Sequence, residues 1–416
     1  MRGALGFPVS TNPLSGTTFG AHMDPESVHP TTKLRSYAGS AYLEPARSRS
    51  NLTIWTDTLV EKVIFDHDDT GALIAAGVQY VQNDVRNTVK ARKEVILSAG
   101  ALHSPKILEL SGIGNPEILQ PLSVDVVVTN AHVGENLQNH LYLSVTSEVA
   151  KQEGFETLDG LLQGDPTGIA AAQEALAKGK CPLTGVNTTG SAQMTFPIFA
   201  SEAGKYELDQ LFQRSGEEPN LGTATPAFAK AHELFVRSVL PSTTQAPGLY
   251  TLFPGHMAFD ENGELLPHPG DGLYLTFAIY LAHPLSRGSV HITSASPLCD
   301  PQINPKYFSH PVDIEVLSRH IQAVENIKRT EPLAPHFIQG GKRIPPEAFH
   351  FTCTCLQMLW EMGGVVDEKC RVYGCKDLRV CDLSIVPIAP QCNTRATTYS
   401  VAEHAAQIVK AHLSVK

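Results

Sequence analysis

The sequence predicts a mixed α/β (α+β) protein, in which a strand-turn-helix unit of the kind that contacts dinucleotides is joined to a second unit built on an antiparallel sheet flanked by helices. Two observations predict it. The first hundred residues are crowded with β-branched, alternating segments that end in Val95-Ile96-Leu97-Ser98, after which Ala99-Gly100 leads into a helix. Farther on, strand-like and helix-like stretches alternate with no internal repeat. With 416 residues and 42% hydrophobic content, the chain can fill more than one core, since single cores stop growing near ~250–300 residues.

The elements follow in order. Leu52 to Phe65 and Leu73 to Val81 alternate apolar and polar positions around the turn-forming Asp66-His67-Asp68-Asp69-Thr70-Gly71, which reads as a hairpin. Val85 to Val95 extends the pattern, and the apolar run from Val95 to Ser98 reads as a strand covered on both faces. Ser104-Pro105 supplies an N-cap and a first-turn proline for a helix over Lys106 to Leu110, stopped by Gly112. Between Glu148 and Pro254 only weak helices stand out, over Ile169 to Lys178 and Phe228 to Leu240. Leu273 to Leu281 and Ser289 to Thr293 read as the arms of an antiparallel hairpin around Ser286-Arg287-Gly288. Pro311 to Ile327 is amphipathic, with Val316, Leu317, Ile321 and Val324 on one face, and Thr398 to Leu413 is a closing helix.

Composition narrows the partners. A net charge of −10, from 32 basic and 42 acidic residues, gives a polyanion little counterion release, so nucleic acid is not expected. No run reaches the ~18–20 apolar residues of a membrane span, and Met1 to Gly20 carries no apolar stretch behind a basic start. The expectation is a soluble chain without an address of its own, and its compartment stays open. Most of the eight cysteines crowd into the last quarter, where Cys353-x-Cys355 and Cys370-x4-Cys375 lack the paired knuckles of a structural zinc site; reduced thiols and no metal are expected.

From Gly100 to Gly114 the chain reads GALHSPKILELSGIG, which resembles the second signature of the glucose-methanol-choline (GMC) oxidoreductase family residue for residue. Val133 to His140 (VGENLQNH), Leu378 to Pro387 (LRVCDLSIVP), Asn393-Thr394, Ala402 to Ala406, and Arg35 to Leu43 resemble further landmarks of the same family. The resemblance implies a remnant of an FAD-binding Rossmann-like domain over 1–145, a substrate-binding domain over 146–349, and a C-terminal block over 350–416 that returns to the FAD-binding domain with the catalytic residues. It implies FAD contacts at Val60, Ser98, Gly100, Asp382, Leu383 and Thr394. A glycine turn admits close approach of a nucleotide because it has no Cβ, and a helix N-terminus favours anions.

His350, in Phe349-His350-Phe351-Thr352-Cys353-Thr354-Cys355, resembles the family's catalytic histidine, and Asn393 stands where the family places a second polar residue. Oxidising a primary or secondary alcohol requires removal of its hydroxyl proton, and an imidazole of pKa near ~6.5 suits that task. The resemblance therefore implies an FAD-dependent alcohol oxidase or dehydrogenase of secondary metabolism acting on a small-molecule alcohol. The run after His350 is one residue longer before Met358 than is usual in the family, which could shift this loop. The family's opening strand, Gly-x-Gly-x-x-Gly turn and helix are also not found in the sequence. Hence the expectation of a chain lacking most of the FAD cradle, with a complementing N-terminal fragment or a homo-oligomer as a partner. A flavin-free homologue, acting as a non-redox natural-product enzyme or as an inactive partner, is the alternative.

Overall fold

The computed structural model describes residues 6–10, 12, 19–153, 155–178, 190–195, 199, 201–215, 225–259, 264–331, 333–344, 351–352, 355–391 and 394–415. They form a mixed α/β fold organised around two main apolar cores, as the sequence predicts.

The larger core lies against a six-stranded antiparallel sheet whose order is Gly20–Met23, Gly190–Met194, Gly248–Phe253, Leu273–Leu281, Leu141–Val149 and Arg343–Ile344. Leu273–Leu281 sits inside it and reads as a nearly unbroken apolar run, because a strand buried on both faces has no solvent side to alternate with. Its threonine hydroxyl is satisfied: Thr276 Oγ1 donates to the Gly255 carbonyl at 2.7 Å and meets Thr146 Oγ1 at 2.9 Å. Phe277, Ile279, Leu141 and Val145 pack with Phe212, Val236, Val316, Leu317 and Val324 from the helices Glu202–Ser215, Pro226–Val239 and Pro311–Lys328.

The hairpin expected between Leu273–Leu281 and Ser289–Thr293 does not form. Leu273–Leu281 pairs with Leu141–Val149 over nine positions, from Leu141↔Leu281 to Val149↔Leu273, while Gly288–His291 turns into another sheet of order Gln302–Asn304, Gly288–His291, Glu135–Asn139, Phe351–Thr352. Gly288 makes this turn possible, since a Cβ there would lie 2.0 Å from the Asn304 carbonyl oxygen.

The second core joins the expected hairpin, Thr58–His67 with Leu73–Gln82, and a third strand Val85–Lys90 to a parallel pair, Val95–Leu97 with Leu378–Val380. Val63, Leu97, Leu108, Val365, Leu378, Val380 and Ala405 fill it. Two expectations are corrected here. Val95 and Leu97 are buried but Ile96 is 44% exposed, because no described residue covers that face of the parallel pair. The helix after it spans Gly100–Leu110, with Ala99 at the N-cap, so Ser104 and Pro105 lie within it; Ser104 binds Asp382 instead, and Pro105 leaves the helix one backbone N–H short. The closing helix runs from Thr394 to Val415, longer than the Thr398 to Leu413 read from the sequence. No helix among the described residues is long and apolar enough to cross a membrane.

Candidate functional site

The strand Val95–Leu97 ends where the helix Gly100–Leu110 begins, and the parallel strand Leu378–Val380 ends beside it at Cys381 and Asp382. The two chain ends are tied together. Cys381 N–H donates to the Leu97 carbonyl at 2.8 Å and Ser98 Oγ donates to the Cys381 carbonyl at 3.1 Å. The Asp382 carboxylate then serves as the anion at the helix N-terminus: Oδ2 accepts from Gly100 N–H at 2.9 Å and from the Ser104 hydroxyl, and Oδ1 accepts from Ser384 N–H at 2.8 Å. Ser104 Oγ in turn accepts from Ala99 N–H at 3.1 Å. A buried carboxylate is stable only when it is hydrogen-bonded in this way, and the helix dipole adds to the effect. The outer surface of the turn stays open. Ser98 and Ala99 are exposed, Gly100 has φ +83°, and a Cβ added to Gly100 would meet nothing within 4 Å.

A second group of contacts centres on Glu135–Asn139 and the adjoining His140. Phe351–Thr352 pairs with this strand, Phe351 opposite Asn139 and Thr352 opposite Gln138. Gln138 also holds the segment near residue 390: its Oε1 accepts from Ala389 N–H at 2.9 Å while its Nε2 donates to the Pro284 carbonyl at 3.0 Å. His140 Nε2 meets the Pro390 carbonyl at 2.8 Å, His283 Nδ1 meets the Ala389 carbonyl at 3.0 Å, and Gln193 Nε2 donates to the Gln391 carbonyl at 2.9 Å. Burial pushes the His283 imidazole down to about 4, so it is neutral at pH 7 and gives the Ala389 carbonyl its one N–H.

The far end of the helix Gly100–Leu110 is clamped separately. His291 lies between Glu109 and Glu135, with Nδ1 2.7 Å from Glu109 Oε1 and Nε2 3.0 Å from Glu135 Oε1. Glu109 Oε2 accepts from Ile292 N–H at 2.8 Å. Burial alone would lower the His291 pKa, but the bonds and charges of the two carboxylates outweigh it and push it up to about 9.

The residues expected from the sequence fall into three sets. Ser98, Gly100, Asp382 and Leu383 meet at one turn, and Thr394 starts the helix that packs on the Leu383–Ile385 turn. Val60 is half-buried on Thr58–His67, the strand on which the Gly100–Leu110 helix packs. His350 and Asn393 lie outside the described residues. Sequence reasoning missed the roles of Ser104, Gln138, His140, His283 and His291. VGENLQNH stood out in the sequence, but nothing local in it tells that Gln138 and His140 reach residues 389 and 390.

Glu94, Asp377 and His412 offer ligand atoms within 4.8 Å of one another, but both Glu94 oxygens already accept from the buried Arg379, at 2.7 and 3.0 Å. Nothing therefore assigns them to a metal. The open Gly100 turn fits a nucleotide lying against the backbone, and the fully buried Ser384 hydroxyl, which has no partner among the described residues, must be matched by a group outside them.

Residues 3–142 and 284–402 match the N-terminal and C-terminal family profiles of the GMC oxidoreductases. The chain is 30% identical over 423 residues to the GMC oxidoreductase family protein Mala s 12 of Malassezia sympodialis, covering 96% of this chain and 63% of that protein. It is 30% identical over 433 residues to the dehydrogenase mpl7 of Monascus purpureus, covering 96% and 67%. The fold matches an FAD-dependent oxidoreductase from Chaetomium thermophilum with a TM-score of 0.81 at 25% identity, over 98% of this chain and 70% of that one. It also matches a fungal aryl-alcohol oxidase with a TM-score of 0.80 at 23% identity, over 99% and 70%. The fold is thus that of a flavoprotein oxidoreductase. The chain belongs to the GMC oxidoreductase family, whose members depend on FAD. It spans roughly two thirds of the length of these relatives, 63% of the first.

Proposed function

We propose that this chain carries the substrate side and part of the cofactor side of an FAD-dependent oxidoreductase that oxidises a primary or secondary alcohol. One observation carries the reading. The segment that follows His350 and the segment that precedes Asn393 are both keyed to Glu135–His140, Phe351 by strand pairing, Ala389 by its N–H donating to Gln138, and Pro390 by its carbonyl meeting His140. Two chain segments far apart in sequence are thereby held against one rigid strand, which is what a base and an oxygen-positioning amide acting on one hydroxyl require. His350 takes the hydroxyl proton. Asn393 holds the oxygen without competing for that proton, since an amide has no basic nitrogen. Ser98, Gly100, Leu383 and Thr394, with Asp382 bracing the turn and Val60 on the strand behind, hold FAD, which when bound supplies the acceptor for the hydride. The relatives named patulin synthase, from Aspergillus clavatus, and aryl-alcohol oxidase support a small organic alcohol as substrate.

The test is a His350→Ala variant in a flavin-loaded, active preparation. Loss of a positioned base lowers kcat by about 10²–10⁴-fold, while the visible flavin spectrum stays unchanged. Undiminished turnover would end the proposal. Activity that persists after complete removal of FAD would favour the flavin-free alternative.

A further inference from the structure

Cys370 and Cys381 stand behind the Gly100–Asp382 turn, and no contact described above uses either thiol. An antiparallel bridge pairs Arg371 with Arg379, and Val380 N–H donates to the Cys370 carbonyl at 3.1 Å, so Cys370 sits across from the residue before Cys381. The two thiols lie close enough to shift each other's pKa, and neither is in a disulfide. Gln357 Nε2 lies 3.6 Å from Cys370 Sγ and points a donor at it. Cys370 itself is held in a left-handed conformation, φ 62°. Cys370 is buried and Cys381 half-buried, so Cys381 is the more accessible of the two.

We propose that Cys370 and Cys381 are a reversible redox pair, closed to a disulfide by a hydroperoxide, and that closure moves the Asp382 turn. The Cys381 thiol and the Arg379 guanidinium lower the Cys370 pKa, favouring a thiolate, whereas the contact with Cys370 and burial raise that of Cys381. The chemistry balances. A thiolate of the pair attacks the peroxide O–O bond, giving a sulfenic acid and hydroxide; the other sulfur then attacks the sulfenic sulfur. An S–S bond forms as the S–O bond breaks, the two thiol protons leave in water, two electrons leave the sulfurs, and hydrogen peroxide ends as two waters. The two sulfurs must close to an S–S bond of ~2.05 Å. That draws Cys381 toward Cys370, and Cys381 carries both backbone bonds to Leu97 and Ser98 and is followed by Asp382. The effect on FAD rests on the functional reading above; the disulfide does not.

Treating the full chain with hydrogen peroxide, then mapping peptides by mass spectrometry, tests the pair. The expected result is a Cys370–Cys381 linked peptide two hydrogens lighter than the reduced pair and reversed by dithiothreitol. It should be absent in Cys370→Ser and in Cys381→Ser, and retained in Cys375→Ser. Recovery of both thiols as reduced, as sulfinic acids, or linked elsewhere would overturn the pair. FAD titration of the reduced and oxidised forms reads the coupling: at least fivefold weaker binding on oxidation is expected, and none in Cys381→Ser. Equal affinity of the two forms would overturn the coupling. If neither form binds FAD, the functional reading fails while the mapped disulfide stands.

Discussion

At the scale of the residue, Asp382 and His291 hold opposite ends of one helix by different means. Asp382 accepts from Gly100 N–H, the Ser104 hydroxyl and Ser384 N–H, so Asp382→Asn turns an amide donor against donors while keeping the shape. A buried donor left unmet costs about 1–3 kcal/mol; urea unfolding should show a loss of that size, and FAD titration a weaker complex. His291 is a pH-dependent clamp. Its folded pKa of about 9 lies above the unfolded value near ~6.5, so its contribution is complete below ~6.5 and is lost as pH rises through 9. Stability measured in urea should therefore fall between pH 7 and pH 10. His291→Gln should remove that slope and cost about 3–5 kcal/mol at pH 7, because two buried carboxylates lose their cation. A variant with the wild-type slope would show that His291 is not the titrating group.

Among the elements, the hairpin Thr58–His67 with Leu73–Gln82 and the helix Pro311–Lys328 were legible in the sequence, because each declares itself through its own period and its own turn or cap. The six-stranded sheet was not. Leu273–Leu281 looks like half of a hairpin, and only its pairing with residues more than a hundred positions earlier shows otherwise, information that alternation within a strand does not carry. The start of the helix at Gly100 was missed for a related reason. Its anion comes from Asp382, so the local Ser-Pro signal pointed five residues too late. Of the site, the glycine turn was readable from the fifteen-residue signature, whereas Gln138 and His283 act through carbonyls and amides that any residue possesses. Gly134 makes the close approach on which the His291 clamp depends. With φ +81°, and a Cβ there 2.2 Å from the Val290 carbonyl oxygen and 2.9 Å from the His291 ring, Gly134→Ala should cost at least about 2 kcal/mol. The measurement is the urea midpoint of the variant, and a change within error of zero would contradict the packing described.

For the whole molecule, a ligand that binds only the folded chain stabilises it by mass action, about 2.7 kcal/mol at a hundredfold excess over Kd. Adding FAD should therefore raise the thermal midpoint by a few degrees, read by calorimetry, and a midpoint indifferent to saturating FAD would mean that the turn at Gly100 does not hold it. Region 150–272 links Val149 to Leu273, which are register partners at the open end of a nine-pair ladder, and adds two strands of its own, Gly190–Met194 and Gly248–Phe253, to the same sheet. Such a closed stem makes the region a cassette whose replacement from a relative leaves both ends of the graft already joined. A donor sequence must still bring strands in register with Gly20–Met23 and residues 276–281, an amide like that of Gln193 for the Gln391 carbonyl, and a carbonyl like that of Ala246 for the Gln391 side chain. Chimeras that keep that pairing and both bonds should exchange substrate preference and keep the flavin, and chimeras that keep the pairing but omit the bonds should lose turnover first.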